Sequence, residues 1–196
     1  MIMSNFFFNY GVRLKQAFDS VDVKQIEKLA DSVNQVWKQN RRVFVCGNGG
    51  SAANANHIAN DWLYGIDKPA GMGVAVESLS ANVAVMTCLA NDTGYENIYS
   101  HQLKVKASSG DLLIVLSGSG NSANVVNALT IAKELGVTTS AILGYSGGKC
   151  KEIADIPIHF LIDDMQISED LQLSVAHMVM QYLNTLKKNQ SAQKLA

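Results

Sequence analysis

From residue 42 onward the chain alternates short, almost wholly apolar runs with longer stretches whose apolar residues recur every three or four positions. The short runs (residues 43–46, 74–76, 112–116, 139–143 and 156–161) are rich in β-branched and aliphatic side chains and predict strands. The periodic stretches between them (51–64, 81–90, 97–107, 123–135 and 147–154) predict helices, and 167–188 predicts a long final one. Strands this apolar are buried on both faces, which calls for a mostly parallel sheet with helices on each side. The expected fold class is α/β: a three-layer αβα sandwich around a five-stranded, mostly parallel sheet.

Residues 1–40 carry the helical period alone and predict two helices that precede the sheet. In the second, Val23, Ile26, Leu29, Ala30, Val33 and Trp37 recur at helical spacing, and Ser20 or Asp22 is placed to cap it. The first carries Phe6, Phe7 and Phe8 in succession. Three adjacent aromatic residues cannot all face one small core. A subunit interface explains them, and a frayed terminus is the alternative.

Composition narrows the function classes without choosing among them. A chain of 196 residues is one large domain, long enough to bury a real core. A formal net charge of −1 gives no case for a nucleic-acid or membrane-surface partner. Cys46, Cys88 and Cys150 lie far apart without metal-binding spacing, which suggests reduced thiols in a cytoplasmic protein. No secretory leader is visible, and no apolar run approaches the ~18 residues that a membrane span needs.

Chemistry concentrates where strands stop in glycines. Residues 43–47 end a strand at Gly47-Asn48-Gly49-Gly50-Ser51, and a helix begins there that carries His57 and Asp61. Backbone N–H groups at such a helix start have no partner within the helix, and anions settle on them. His57 and Asp61, four residues apart, project from one helix face as an acid/base or metal-ligand pair. A second turn, Ser117-Gly118-Ser119-Gly120-Asn121-Ser122, offers three hydroxyls and two flexible glycines at another helix start. It has the small concavity of N–H and O–H donors that a phosphate requires. Ligands of such folds bind at the carboxyl ends of the strands, so the two turns read as parts of one crevice. Neither turn matches the dinucleotide or P-loop pattern, so no nucleotide cofactor is expected.

These turns, together with Ala90-Asn91-Asp92-Thr93-Gly94 and with His177 on the last helix, resemble a sugar isomerase (SIS) domain. Within that superfamily the chain most resembles the phosphoheptose isomerases, over nearly its whole length and with the motifs in the family's order. The resemblance implies one SIS domain over 1–196, with 1–40 a helical segment used in oligomerisation and a homotetramer as the assembly. It implies conversion of sedoheptulose 7-phosphate to D-glycero-D-manno-heptose 7-phosphate for bacterial envelope polysaccharide. By position, Asn48, Gly49, Gly50 and Ser51 would line the sugar-phosphate site. Asn91 and Asp92 would hold sugar hydroxyls, and Ser117, Gly118, Ser119 and Ser122 would hold the phosphate. The catalytic carboxylate falls on Asp61 and the catalytic histidine on His177. One Zn²⁺ per subunit would use His57, Asp61, Glu169 and His177, and Asp61 and Glu169 would also meet the substrate.

The chain departs from the family pattern at three of these positions. Asp61 stands for a glutamate, Glu169 for a glutamine and Gly118 for a threonine. Isomerisation moves a proton between adjacent carbons through an enediol, and needs a base, an acid at the carbonyl oxygen and stabilisation of the oxyanion. Two imidazoles and two carboxylates also suit Zn²⁺. Glu169 and His177 lie eight residues apart, about 12 Å along a helix. They meet one ion only if the side chains lean together, the helix starts late, or the residues come from different subunits. Two alternatives belong to other classes: a SIS protein that binds the replication-initiator protein as an assembly platform, and one that binds a phosphosugar without converting it. Asp61 and His177 favour the enzyme. His101 and His159, outside every motif, read as structural or solvent-facing.

Overall fold

In the computed structural model, which describes residues 3–68 and 71–193, five strands form one sheet in the order β2-β1-β3-β4-β5. Residues 1, 2 and 194–196 of the expected domain lie outside the described residues. The strands are β1 (Arg42–Gly47), β2 (Ala75–Ser78), β3 (Leu112–Ser117), β4 (Thr138–Leu143) and β5 (Ile156–His159), and every pair is parallel. Alternation across each strand divides the core in two. Val43 and Val45 join Leu112, Ile114 and Leu116 on one face, while Phe44 and Cys46 join Leu113 and Val115 on the other.

Eight α-helices cover the two faces among the described residues: α1 (Met3–Asp19), α2 (Val23–Lys38), α3 (Gly50–Tyr64), α4 (Val83–Thr93), α5 (Ile98–Lys106), α6 (Ala123–Glu134), α7 (Gly148–Ile153) and α8 (Met165–Gln193). Helices α1, α2, α3 and α8 pack on the first face, and α5, α6 and α7 on the second. The three-layer α/β expectation holds, and the sheet is parallel throughout.

Most of the expected boundaries shift by one to five residues, and three of the shifts have a visible cause. The last strand ends at His159 rather than 161, because Leu161 is exposed and the chain turns toward α8. The final helix runs past both ends expected of it, starting where Asp164 accepts the N–H of Ile167 at 3.1 Å. Helix α4 starts at Val83, where Asn82 caps the N–H of Val85.

Two topological facts position the site. The chain leaves β1 toward β2 on one side and returns to β3 on the other, so a crevice opens at the carboxyl ends of β1 and β3, where this fold class binds ligands. Helices α3 and α8 also lie side by side in the same direction. Asn54 bonds the carbonyl of Glu169, the Trp62 indole bonds that of Ala176, and Asn184 reaches the carbonyl of Ile66. Helix α1 is tied onto the start of α8 by Tyr10 with Asp170 and by Arg13 with Asp164 at 2.6 Å.

Candidate active site

The turn after β1 is made by close approach. A Cβ on Gly47 would lie 2.7 Å from the carbonyl oxygen of Leu116 on the neighbouring strand, and Gly49 takes φ +55°. The carbonyl of Gly47 accepts hydrogen bonds from the hydroxyls of Ser80 and Tyr99, which pins the strand end. Burial raises the Tyr99 phenol well above its ordinary value, so it remains a donor. Ser51 is buried in the first turn of α3 and accepts a hydrogen bond from Gln172 Nε2 at 3.0 Å.

Glu169 sits over this turn. A Cβ added to Gly50 would fall 2.3–2.4 Å from the atoms of the Glu169 carboxylate, so that carboxylate lies directly against the Gly50 Cα. An acid beside a helix N-terminus is electrostatically favourable. The same placement puts a negative charge where the expected phosphate surroundings begin.

The second turn is held by its own serines. Ser117 Oγ accepts the N–H of Gly120 at 3.0 Å, and Ser119 Oγ accepts that of Asn121 at 3.3 Å. Gly120, at φ +66°, passes so close to Gly147 that a Cβ would meet its carbonyl oxygen at 2.0 Å. Ser122 is the residue before α6. At Gly118, the sulfur of Met165 lies 2.6 Å from where a Cβ would be. Here α8 supplies a thioether in the space a larger side chain would take.

The third group lies farther along α3. Asp61 Oδ2 stands 3.2 Å from His57 Nε2 and 3.3 Å from His177 Nε2, and the two ring nitrogens are 3.2 Å apart. At that separation one ring can donate to the other in the matching tautomer, and with both Nε2 atoms unprotonated the group suits a shared cation. In the plane of the three atoms the equidistant point lies about 1.9 Å from each, and just above that plane the distance reaches the ~2.0–2.1 Å of zinc–imidazole bonds. Three ligands with an open side are what a catalytic rather than a structural zinc uses. These are the residues that can hold a metal ion among those described.

Glu169, expected as a fourth ligand, is not brought to this group within one chain. The helical rise separates it from His177 by about 12 Å, and its carboxylate is held at Gly50 instead. Asn91 and Asp92 sit exposed at the end of α4, with Asn91 Nδ2 donating to Asp92 Oδ1 at 2.7 Å. From α3 the Asp61 carboxylate touches both imidazoles.

Four polar residues of the site escaped the sequence reading. Gln172 and Asn124 are 0 % and 1 % exposed; Asn54 bonds Gln172, while Tyr95 and Asn124 both bond Asn48, each across elements. Asn54 donates to Gln172 Oε1, which in turn holds Ser51. The signal available was a polar residue at a helix position that periodicity makes apolar. Gln172 sits beside Leu171 and one helical turn from Val175, and has that signature.

Comparison with known proteins fits this geometry. The SIS domain family matches residues 6–144. The phosphoheptose isomerase of Clostridium acetobutylicum is 36 % identical over 163 residues, covering 82 % of each chain. That of Aliarcobacter butzleri is 35 % identical over 159 residues, covering 81 % of this chain and 84 % of its own. Among solved structures, phosphoheptose isomerase from Neisseria gonorrhoeae superposes with a TM-score of 0.85 at 26 % identity, over 93 % of this chain and 97 % of that one. With the two strand-end turns and the His57–Asp61–His177 group in place, the chain belongs to the phosphoheptose isomerase family of SIS-domain proteins.

Proposed function

We propose that this protein interconverts sedoheptulose 7-phosphate and D-glycero-D-manno-heptose 7-phosphate. The observation that carries this reading is the single carboxylate of Asp61 held between the imidazoles of His57 and His177. The phosphate lies at the Ser117–Ser122 turn, where the serine hydroxyls can donate to it while Ser117 Oγ and Ser119 Oγ hold the turn's own N–H groups. Asn91 and Asp92 hold sugar hydroxyls, and Asn48, Gly49, Gly50 and Ser51 line the crevice. Asp61 takes the proton from the carbon beside the carbonyl, and His177 gives a proton to the carbonyl oxygen, which makes the enediol. Reversing the two transfers at the neighbouring carbon gives the aldose. His57, Asp61 and His177 would hold a Zn²⁺ through the two Nε2 atoms and Oδ2, and the ion would then polarise the carbonyl in place of the proton that His177 gives in its absence.

The protein acts in the cytoplasm, in heptose supply for the bacterial envelope, as a homotetramer of single-domain chains. Two unpaired apolar surfaces support assembly: Phe6, Phe7 and Phe8 are 56–73 % exposed on α1, and α4 buries none of its residues although most of its first two turns are apolar. The test is turnover of sedoheptulose 7-phosphate by the purified protein, with and without added Zn²⁺. Aldose formation in either condition is expected, and its absence from both overturns the proposal.

A further inference from the structure

The two strand-end turns are cross-braced by an amide pair, and a tyrosine closes the brace. Asn48 Nδ2 donates to Asn124 Oδ1 at 2.9 Å, and Asn124 Nδ2 returns the bond to Asn48 Oδ1 at 2.8 Å. The Tyr95 hydroxyl donates to the same Asn48 Oδ1 at 2.9 Å. Asn124 Oδ1 also accepts the N–H of Val125 at 3.0 Å, and this fixes which end of its amide is oxygen. The reciprocal pairing then fixes Asn48.

The three residues come from three segments: Asn48 from the turn after β1, Tyr95 from the 3-10 turn Tyr95–Asn97 after α4, and Asn124 from the first turn of α6 after β3. The β1–β3 ladder ends at the pair Gly47 and Leu116. Among the described residues the turns that continue these strands are joined beyond that pair by the Asn48–Asn124 amides. Asn124 is 1 % exposed, so its two bonds are made away from water, where leaving them unmade is costly. Counting hydrogen-bond capacity, both lone pairs of Asn48 Oδ1 and one of its two N–H groups are in use. One N–H remains for a ligand.

We propose that Asn124 is a positioning residue, which acts through Asn48 and with Tyr95 to set the gap between the Gly47–Ser51 and Ser117–Ser122 turns and so the affinity for the sugar phosphate. This rests on the reading of those turns as the phosphosugar site. The side chain of Asn48 then serves mainly as a strut, and its backbone and last N–H face the substrate.

Asp at position 124 makes a pH-controlled test. A protonated Asp carboxyl has the hydrogen-bonding pattern of Asn: its O–H donates to Asn48 Oδ1 and its carbonyl accepts. The ionised form accepts only and leaves that oxygen without its donor. Binding of sedoheptulose 7-phosphate, and of inorganic phosphate as a minimal probe, is measured by calorimetry from pH 8 to pH 5 and compared with wild type at each pH. We expect Asn124→Asp to bind about 10-fold more weakly at pH 8 and to recover as pH falls, and Asn124→Ala to stay weak throughout. In an Asn48→Ala background the recovery is lost, because the oxygen that the protonated carboxyl would meet is gone. Tyr95 is 54 % exposed, so Tyr95→Phe leaves the fold intact and is expected to raise Kd about threefold at unchanged Tm. Wild-type affinity in Asn124→Ala overturns the proposal, as does a pH-dependent recovery that survives Asn48→Ala. Both readouts are binding, so a wild-type protein that binds phosphosugar without converting it refutes the isomerase reading and still tests the brace.

Discussion

Nε2 of His177 on α8 lies 3.3 Å from Oδ2 of Asp61 on α3, so one carboxylate oxygen spans the two helices that carry the proposed acid and base. The same oxygen meets His57 at 3.2 Å. A longer side chain is therefore not needed for contact, and a glutamate at this position has to fold back to avoid overshooting. Asp61→Glu should lower kcat about tenfold, within the range that misplacement of ~1 Å produces. Asp61→Asn, which keeps the shape and loses the base, should lower kcat by about 10²–10⁴-fold. Steady-state rates on the heptose phosphate check both, and an Asp61→Asn variant at wild-type rate removes Asp61 from the mechanism.

The compact triangle of His57, Asp61 and His177 predicts a metal-dependent stability. An ion that binds only the folded chain adds about 2.7 kcal/mol at 100 times its Kd. For a chain of this size that raises Tm by about 5–10 °C, at ~2–4 °C per kcal/mol. Scanning calorimetry of chelator-treated protein, before and after Zn²⁺ is returned, measures it. His57→Ala should abolish the shift while leaving the apo Tm within about 2 °C, because the His57 side chain is half exposed.

Glu169 held against Gly50 predicts an electrostatic cost to substrate binding. The carboxylate stands at the N-terminus of α3 beside the crevice in which a dianionic phosphate is to bind. Glu169→Gln keeps the shape and removes the charge. KM should fall about two- to fivefold at low salt, as expected for one charge at a helix terminus, and the gain should shrink at high ionic strength. A KM that rises instead would mean the carboxylate itself grips the sugar.

What could be read without coordinates follows a physical division. The strands and most helices were legible because burial imposes a local period on residues such as Val43–Phe44–Val45, whose alternation sends neighbours into the two cores. The two turns were legible because glycine and serine have few other reasons to cluster at a strand end. The pairing of Asn48 with Asn124 spans 76 residues, and that of Glu169 with Gly50 spans 119; no local pattern encodes either. Helical spacing did show that Glu169 and His177 are too far apart to share an ion in one chain without help, and the structure puts Glu169 elsewhere. Helical spacing paired Asp61 with His57, family position supplied His177 and the catalytic role of Asp61, and the distance between Asp61 and His177 required the parallel packing of α3 on α8.

Gly118 and Met165 form a compensating pair. Met165 Sδ lies 2.6 Å and Cε 3.1 Å from the place of a Cβ on Gly118, so the thioether fills what a threonine would occupy. Gly118→Thr alone should destabilise by about 1–3 kcal/mol through overpacking. Combining it with Met165→Ala should recover most of that loss, a coupling that a double-mutant cycle on Tm reads directly. Additive effects would mean the two side chains do not share the space.

The attachment of α1 to α8 predicts an acid-sensitive contact. Asp164 caps α8 through the N–H of Ile167 and pairs with Arg13 of α1 at 2.6 Å. The Ile167 N–H first of all, and the Arg13 guanidinium with it, hold its carboxyl below the ordinary carboxylate range against the opposing effect of burial. A carboxylate with a depressed folded-state value stabilises above its unfolded value of about 4, and that stability is lost as pH falls through the folded value. Wild type should therefore lose Tm steeply from about pH 4 downward. Asp164→Asn has no charge to lose, so it should start lower by about 1 kcal/mol at pH 7 and converge on wild type in acid. The opposite end of the scale tests the neighbouring tie. The hydrogen bond to Asp170 pushes the Tyr10 phenol up to about 12, so its contribution is present below pH 10 and is lost as pH rises through that value. Tyrosinate absorbance should show the Tyr10 and Tyr99 phenols titrating late in wild type, with Tyr10 moving back toward its ordinary value in Asp170→Asn and Tyr99 unchanged. If Asp164→Asn instead tracks wild type in parallel across the acid range, Arg13 and the helix cap are not what anchor α1.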